Sequence, residues 1–208
     1  MKFLTWLVAL AQLLMTACSV APVAKGPVSG APVPTSAKGL RGVEILLIRH
    51  AEKAGSGPAL SPAGRDRAEA YVRYFTTLAV GSRSITPDYL IAGADSGQSW
   101  RPRLTLKPLS KFLGRPIDLR FGADRIQALA EALRTEAHGR CILICWRHGT
   151  LPELLSALGA DPGKLLPDGR WPEDEYSWLL DLRYDQAGHL VPAETRRVLQ
   201  GLMPGDAR

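Results

Sequence analysis

Residues 43–50 read VEILLIRH and residues 140–148 read RCILICWRH. Each is a short, nearly unbroken apolar run, the pattern of a strand covered on both faces in a mainly parallel sheet. Each run also ends in Arg-His, at Arg49-His50 and Arg147-His148, where neutral turn residues would be usual. In open α/β sheets ligands bind beyond the carboxyl ends of the strands. Two Arg-His pairs at such ends place charge where a site belongs, and neighbouring strands would hold the histidines about 5 to 10 Å apart.

The rest of the chain alternates around these runs. SPAGRDRAEAYVRYFTTLAV (61–80) reads as a helix with Ser61 as its cap, Pro62 at its first position, and Ala68, Val72, Phe75 and Ala79 on the apolar face, widened by Leu78. DYLIAGA (88–94) reads as a strand and SWRPRLTLKPLSKFL (99–113) as a helix. IDLRF (117–121) is a short strand, DRIQALAEALRTEAH (124–138) an amphipathic helix and LPELLSALG (151–159) a helix. YSWLLDLRYDQAGHLVPAETRRVL (176–199) reads as two strands around an Asp-Gln-Ala-Gly turn. The alternation predicts a three-layer α/β/α domain with a mainly parallel sheet over residues 41–208.

The 208 residues suit one domain, and 46% apolar with 22% charged residues is ordinary for a globular chain. The net charge of +6 favours an anionic ligand. Lysine and arginine are scattered without a basic stripe, which argues against nucleic acid as a partner. No nucleotide-binding P-loop is present, Ser96 lacks the flanking glycines of a hydrolase elbow, and His138 and His189 stand alone as surface residues, so no metal or cofactor is expected. Cys141 and Cys145 would lie about 13 Å apart along one strand, beyond the roughly 7 Å a disulfide spans. They read as small buried apolar groups.

Residues 1–17 form a targeting segment: Lys2 is basic, and Phe3–Met15 is apolar but too short to span a bilayer. LLMTACS (13–19) resembles a bacterial lipoprotein signal, which implies cleavage before Cys18 and lipidation of that cysteine. Residues 18–40, rich in Ala, Pro and Gly, read as a tether. Ser19, in place of aspartate, implies sorting to the outer membrane, on the periplasmic face of the cell envelope.

Arginine offers planar, bidentate recognition of phosphate oxygens. A histidine beside it can attack phosphorus while the guanidinium spreads the charge of the transferring group. LLIRHAEK (46–53), LSPAGRDRAEAYVRYF (60–75), ADSGQSWRPRLTLKPLS (94–110) and ILICWRHGTLPELLSALG (142–159) together resemble, in order, the motifs of the histidine phosphatase superfamily, in its phosphoglycerate-mutase-like first branch. The resemblance runs from about Val43 to Leu182.

That resemblance implies a phosphatase working through phosphohistidine on His50. Arg49 would bind phosphoryl oxygens, and His148 would stabilise them. The Arg-x-x-x-Thr spacing selects Arg101, with Arg103 as the register alternative. Glu52, Lys53 and Arg147 are further candidates for substrate binding. Arg147 stands where the family has a small residue, and Trp146 beside it suggests a narrowed or more cationic mouth. Asp118 is the candidate general acid, with Asp124 in the same region, although strand edge and helix cap explain these two as well. The implied partner is a phosphorylated small molecule, a phosphoprotein or an envelope glycolipid. The alternative is a non-catalytic envelope lipoprotein that binds a phosphorylated or anionic ligand.

Overall fold

In the computed structural model, residues 38–77, 79–80, 83–84 and 86–206 are described. The targeting segment, Cys18 and nearly all of the tether lie outside them. The elements in chain order are β1 (Glu44–Arg49), α1 (Pro62–Thr77), β2 (Ala79–Val80), β3 (Arg83–Ser84), β4 (Tyr89–Ala92), α2 (Arg101–Leu113), β5 (Ile117–Asp118), α3 (Ile126–Thr135), β6 (Cys141–Trp146), α4 (Leu151–Ala157), α5 (Pro162–Leu165), β7 (Trp178–Arg183) and β8 (Arg196–Leu199).

The apolar runs of β1 and β6 lie side by side as central parallel strands, buried at every position, in a sheet of order β5-β4-β6-β1-β7-β8. β4 and β5 continue the parallel part, and β7 and β8 add antiparallel pairs at the other edge. Because side chains alternate along a strand, Ile45, Leu47, Ile142 and Ile144 pack against α3 and α4. Leu46, Ile48, Leu143 and Cys145 pack against Tyr71 and Phe75 of α1 and Leu106 and Leu109 of α2. Helices therefore cover both faces of the sheet, in three layers. Cys141 and Cys145 are free and buried.

Several boundaries differ from the sequence reading. Ser61 Oγ does accept the Gly64 amide at 3.0 Å, as a helix cap should. The helix ends at Thr77, however, and Ala79–Val80 pairs with Arg83–Ser84. Thr76 and Thr77 turn their hydroxyls back onto the carbonyls of Val72 and Arg73, a local bond that favours helix ends. The buried stripe is Ala68, Tyr71 and Phe75, with Val72 only half-buried. After the turn at 185–188 only Leu190 bridges back to Tyr184, and Pro192, which lacks an amide, opens a 3-10 turn before β8. α3 stops at Thr135, and its cap residue Arg125 makes no side-chain cap, so Asp124 does not cap it. His138 is buried, edge-on to Tyr89 at 4.8 Å, and so is not a surface residue. His189 is exposed.

Candidate active site

The parallel register sets Arg49 opposite Trp146, and the His50 amide extends the ladder by donating to the Trp146 carbonyl at 3.0 Å. The two chain ends thus leave the sheet together. The rings of His50 and His148 stand edge-on with centroids 6.3 Å apart. His50 is buried, and its Nδ1 lies 2.7 Å from the Ala51 carbonyl. A carbonyl can only accept, so Nδ1 carries the proton and Nε2 the lone pair. Burial, reinforced by the charges of Arg49 and Arg101, outweighs the Ala51 hydrogen bond and pulls the His50 pKa down to about 3. At neutral pH the ring is an uncharged base with Nε2 making no hydrogen bond to a described residue.

The Ala51 peptide is held from its other side as well. Its N–H donates to Thr105 Oγ1 at 2.9 Å, and the fully buried Thr105 hydroxyl donates to the Arg101 carbonyl at 2.8 Å. One helical turn separates Arg101 from Thr105, so the Arg-x-x-x-Thr spacing ties the start of α2 to the peptide that orients His50. The sequence reading used Thr105 only to choose the register and missed this bridge.

Arg49 is buried and heavily committed. Nη1 donates to the carbonyls of Pro172, Glu173 and Glu175, Nη2 donates to His148 Nδ1 at 3.2 Å, and the guanidinium lies 3.9 Å over the Tyr176 ring. An arginine cannot accept, so His148 Nδ1 must, which leaves the His148 proton on Nε2 as a donor. Burial, and next the Arg49 charge, lower the His148 pKa. Arg49 was expected to grip phosphoryl oxygens. It chiefly fastens the 172–175 loop and orients His148, and its buried Nε alone has no partner.

Arg101 heads α2 and donates from Nη1 to the Gly57 carbonyl at 3.1 Å. Arg147 follows β6 and donates from Nη2 to Ser96 Oγ at 2.7 Å. The Nε groups of Arg49, Arg101 and Arg147 are all buried without a hydrogen-bond partner. Orphaned buried donors are rare in proteins and costly, and the charges of Arg101 and Arg147 act on each other. Arg103 instead turns its Nε onto Asp95 at 2.7 Å, so of the two register alternatives only Arg101 joins His50. Trp146 does not narrow the mouth: its side chain is fully buried in the core beneath Gly93.

The candidate carboxylates Asp118 and Glu52 are engaged elsewhere. Asp118 sits on the edge strand β5, two strands away from β6, and bonds Tyr89 and Arg120. Burial raises its pKa, but those hydrogen bonds outweigh it and hold the group below the usual carboxylate range. The structure thus places it on the edge strand with Tyr89 and Arg120, and no contact brings it to His50. Glu52 accepts from Arg67 at 2.7 Å, and Arg67 also binds Asp206 near the C-terminal end of the described chain. Lys53 pairs with Glu173 at 2.8 Å on the surface, and that bond lowers the Glu173 pKa. Among the described residues no group of His, Cys, Asp and Glu is arranged to hold a metal ion.

No family model matches the chain, and no curated protein matches it in sequence. Solved structures match it in fold. A phosphoglycerate mutase from Plasmodium falciparum superposes with a TM-score of 0.51 at 16% identity, over 79% of this chain and 96% of that one. The fold is that of phosphoglycerate mutase. A structure from Agrobacterium tumefaciens assigned as the phosphohistidine phosphatase SixA gives a TM-score of 0.48 at 20% identity, over 76% of this chain and 99% of that one. The protein histidine phosphatase SixA complexed with tungstate gives 0.41 at 15%, over 72% and 93%. At such identities the likeness is one of fold. Within the phosphoglycerate-mutase fold of this chain, His50, His148, Arg49, Arg101 and Arg147 meet at the carboxyl ends of β1 and β6.

Proposed function

We propose that the chain is a phosphatase of the histidine phosphatase superfamily that passes a phosphoryl group to His50 and then to water. The observation that carries this reading is the His50 ring, neutral and buried, with Nδ1–H tied to Ala51 and Nε2 unengaged. No proton has to leave before attack. The Nε2 lone pair forms the N–P bond as the P–O bond to the leaving group breaks and the leaving oxygen takes that electron pair. The Arg49 Nε–H and the His148 Nε2–H are suited to the equatorial oxygens. Each such donor is worth on the order of 3 kcal/mol in a transition state. Water then attacks phosphorus as the P–N bond breaks, its electrons return to Nε2, and the proton that water loses passes through solvent to the released oxyanion.

The sequence of residues 1–18 supports an envelope location with a lipid anchor on Cys18. A phosphorylated small molecule, a phosphoprotein or an envelope glycolipid is the partner in this reading. The test is release of p-nitrophenol from p-nitrophenyl phosphate without added metal, for the wild type and His50→Ala. Turnover that falls by about a thousandfold or more in the variant is expected. Equal turnover by His50→Ala would refute the phosphohistidine route.

A further inference from the structure

Arg101 and Arg147 carry more positive charge into this site than one phosphoryl group explains. Both guanidiniums are held by neutral partners, the Gly57 carbonyl and the Ser96 hydroxyl, and neither pairs with a carboxylate among the described residues. Burial, and then the charge of Arg147, lower the Arg101 pKa, with Tyr176 opposing, so the two guanidiniums lie near enough to act on each other. One short loop fixes them both. Ser96 Oγ accepts from Arg147 and from the amides of Gln98 and Ser99, while Ser99 Oγ accepts the Arg101 amide at 3.3 Å. Each arginine still has a buried Nε–H without a partner.

Among the described residues, the carboxylates on the loops beside this site are largely tied to cations. Asp95 is tied to Arg103, Glu52 to Arg67 and Glu173 to Lys53. An alkoxide cannot depart readily without an acid, whereas a departing phosphate, with a second pKa of about 6, needs none at neutral pH. An excess of guanidinium and carboxylates tied to cations therefore call for the same leaving group, a phosphate.

We infer that the site takes phosphoanhydrides, with Arg147 and Arg101 holding the inner phosphate of a diphosphate ester while its terminal phosphoryl group goes to His50. This rests on the phosphatase reading above. His50 Nε2 forms the N–P bond to the terminal phosphorus as the bond from that phosphorus to the bridging oxygen breaks. The bridging oxygen keeps the electron pair, and the monophosphate ester leaves as its dianion with no proton transferred. Hydrolysis of the phosphohistidine by water follows as before.

Phenyl phosphate and phenyl diphosphate form a matched pair of probes for the full chain. The wild type is expected to prefer the diphosphate in kcat/KM by about tenfold or more, the worth of one added charged fork. Arg147→Gln should cut that preference by about tenfold, mainly through KM, with Arg147→Lys in between. The lysine variant also covers a glutamine variant that fails to fold. A wild type that hydrolyses phenyl phosphate without preferring the diphosphate overturns the inference and leaves the phosphatase reading standing. So does a preference that survives Arg147→Gln unchanged, because it then comes from leaving-group chemistry alone. Hydrolysis of neither probe removes the phosphatase reading, and the inference with it.

Discussion

At the scale of single residues, the two nitrogens of His50 are separated in role by one backbone carbonyl. That arrangement depends on Thr105, which fixes the Ala51 peptide and is fully buried. Thr105→Val keeps the shape but leaves the Ala51 amide without an acceptor. A loss of about 1 to 3 kcal/mol in denaturant unfolding is expected, with kcat reduced more than KM. The low pKa of His50 also has a consequence for stability. An unfolded chain protonates this ring near pH 6.5, the folded one only at about 3. Between those values the unfolded state binds more protons, so stability present above pH 6.5 is lost as pH falls. His148 and His138, both lowered by burial, act in the same direction. Melting temperature should therefore decline from pH 7 to pH 4, and more shallowly in His50→Gln. His50, His148, Arg101 and Arg147 were all visible in the sequence because each lies in or beside a strand end or motif of fixed spacing. The engagement of Arg49 was not visible, because backbone carbonyls such as those of Pro172, Glu173 and Glu175 have no side-chain signature.

At the scale of elements, β1 and β6 could be read directly because burial on both faces demands an uninterrupted apolar run. The end of α1 could not, since Leu78 and Ala79 continue its apolar period while the Thr76 and Thr77 hydroxyls compete for the helix carbonyls. The partners of Asp118 are not legible in the sequence for a related reason. A carboxylate's role depends on what faces it, and here that is Tyr89 and Arg120. A second element-scale device joins α1, the His50 loop and the C-terminal segment. The nearly buried Arg67 bridges Glu52 and Asp206, and Asp206 accepts the amides of Leu202 and Met203. Burial opposes the charge of Arg67, but the hydrogen bonds to Asp206 and Glu52 outweigh it and raise its pKa. Asp206→Ala leaves Arg67 with Glu52 alone and removes its hydrogen bonds to Asp206, which should cost about 1 to 3 kcal/mol in chemical denaturation.

At the scale of the whole molecule, a central pair of parallel strands, helices on both faces and a cationic cluster at the strands' carboxyl end form one arrangement. The order of the motifs along the chain gave that arrangement away, because strands that alternate with helices must be laid side by side to bury their faces. The N-terminal segment adds an expectation of its own: Cys18→Ala should abolish incorporation of labelled palmitate and release the chain from the membrane fraction. The central claim is the covalent role of His50. Its most direct test is to quench turnover of a phosphorus-labelled substrate in alkali and map the acid-labile label by peptide. Label on the peptide that holds His50, absent in His50→Ala, is the expected result. Turnover with no label there, or label on the His148 peptide, would contradict the account.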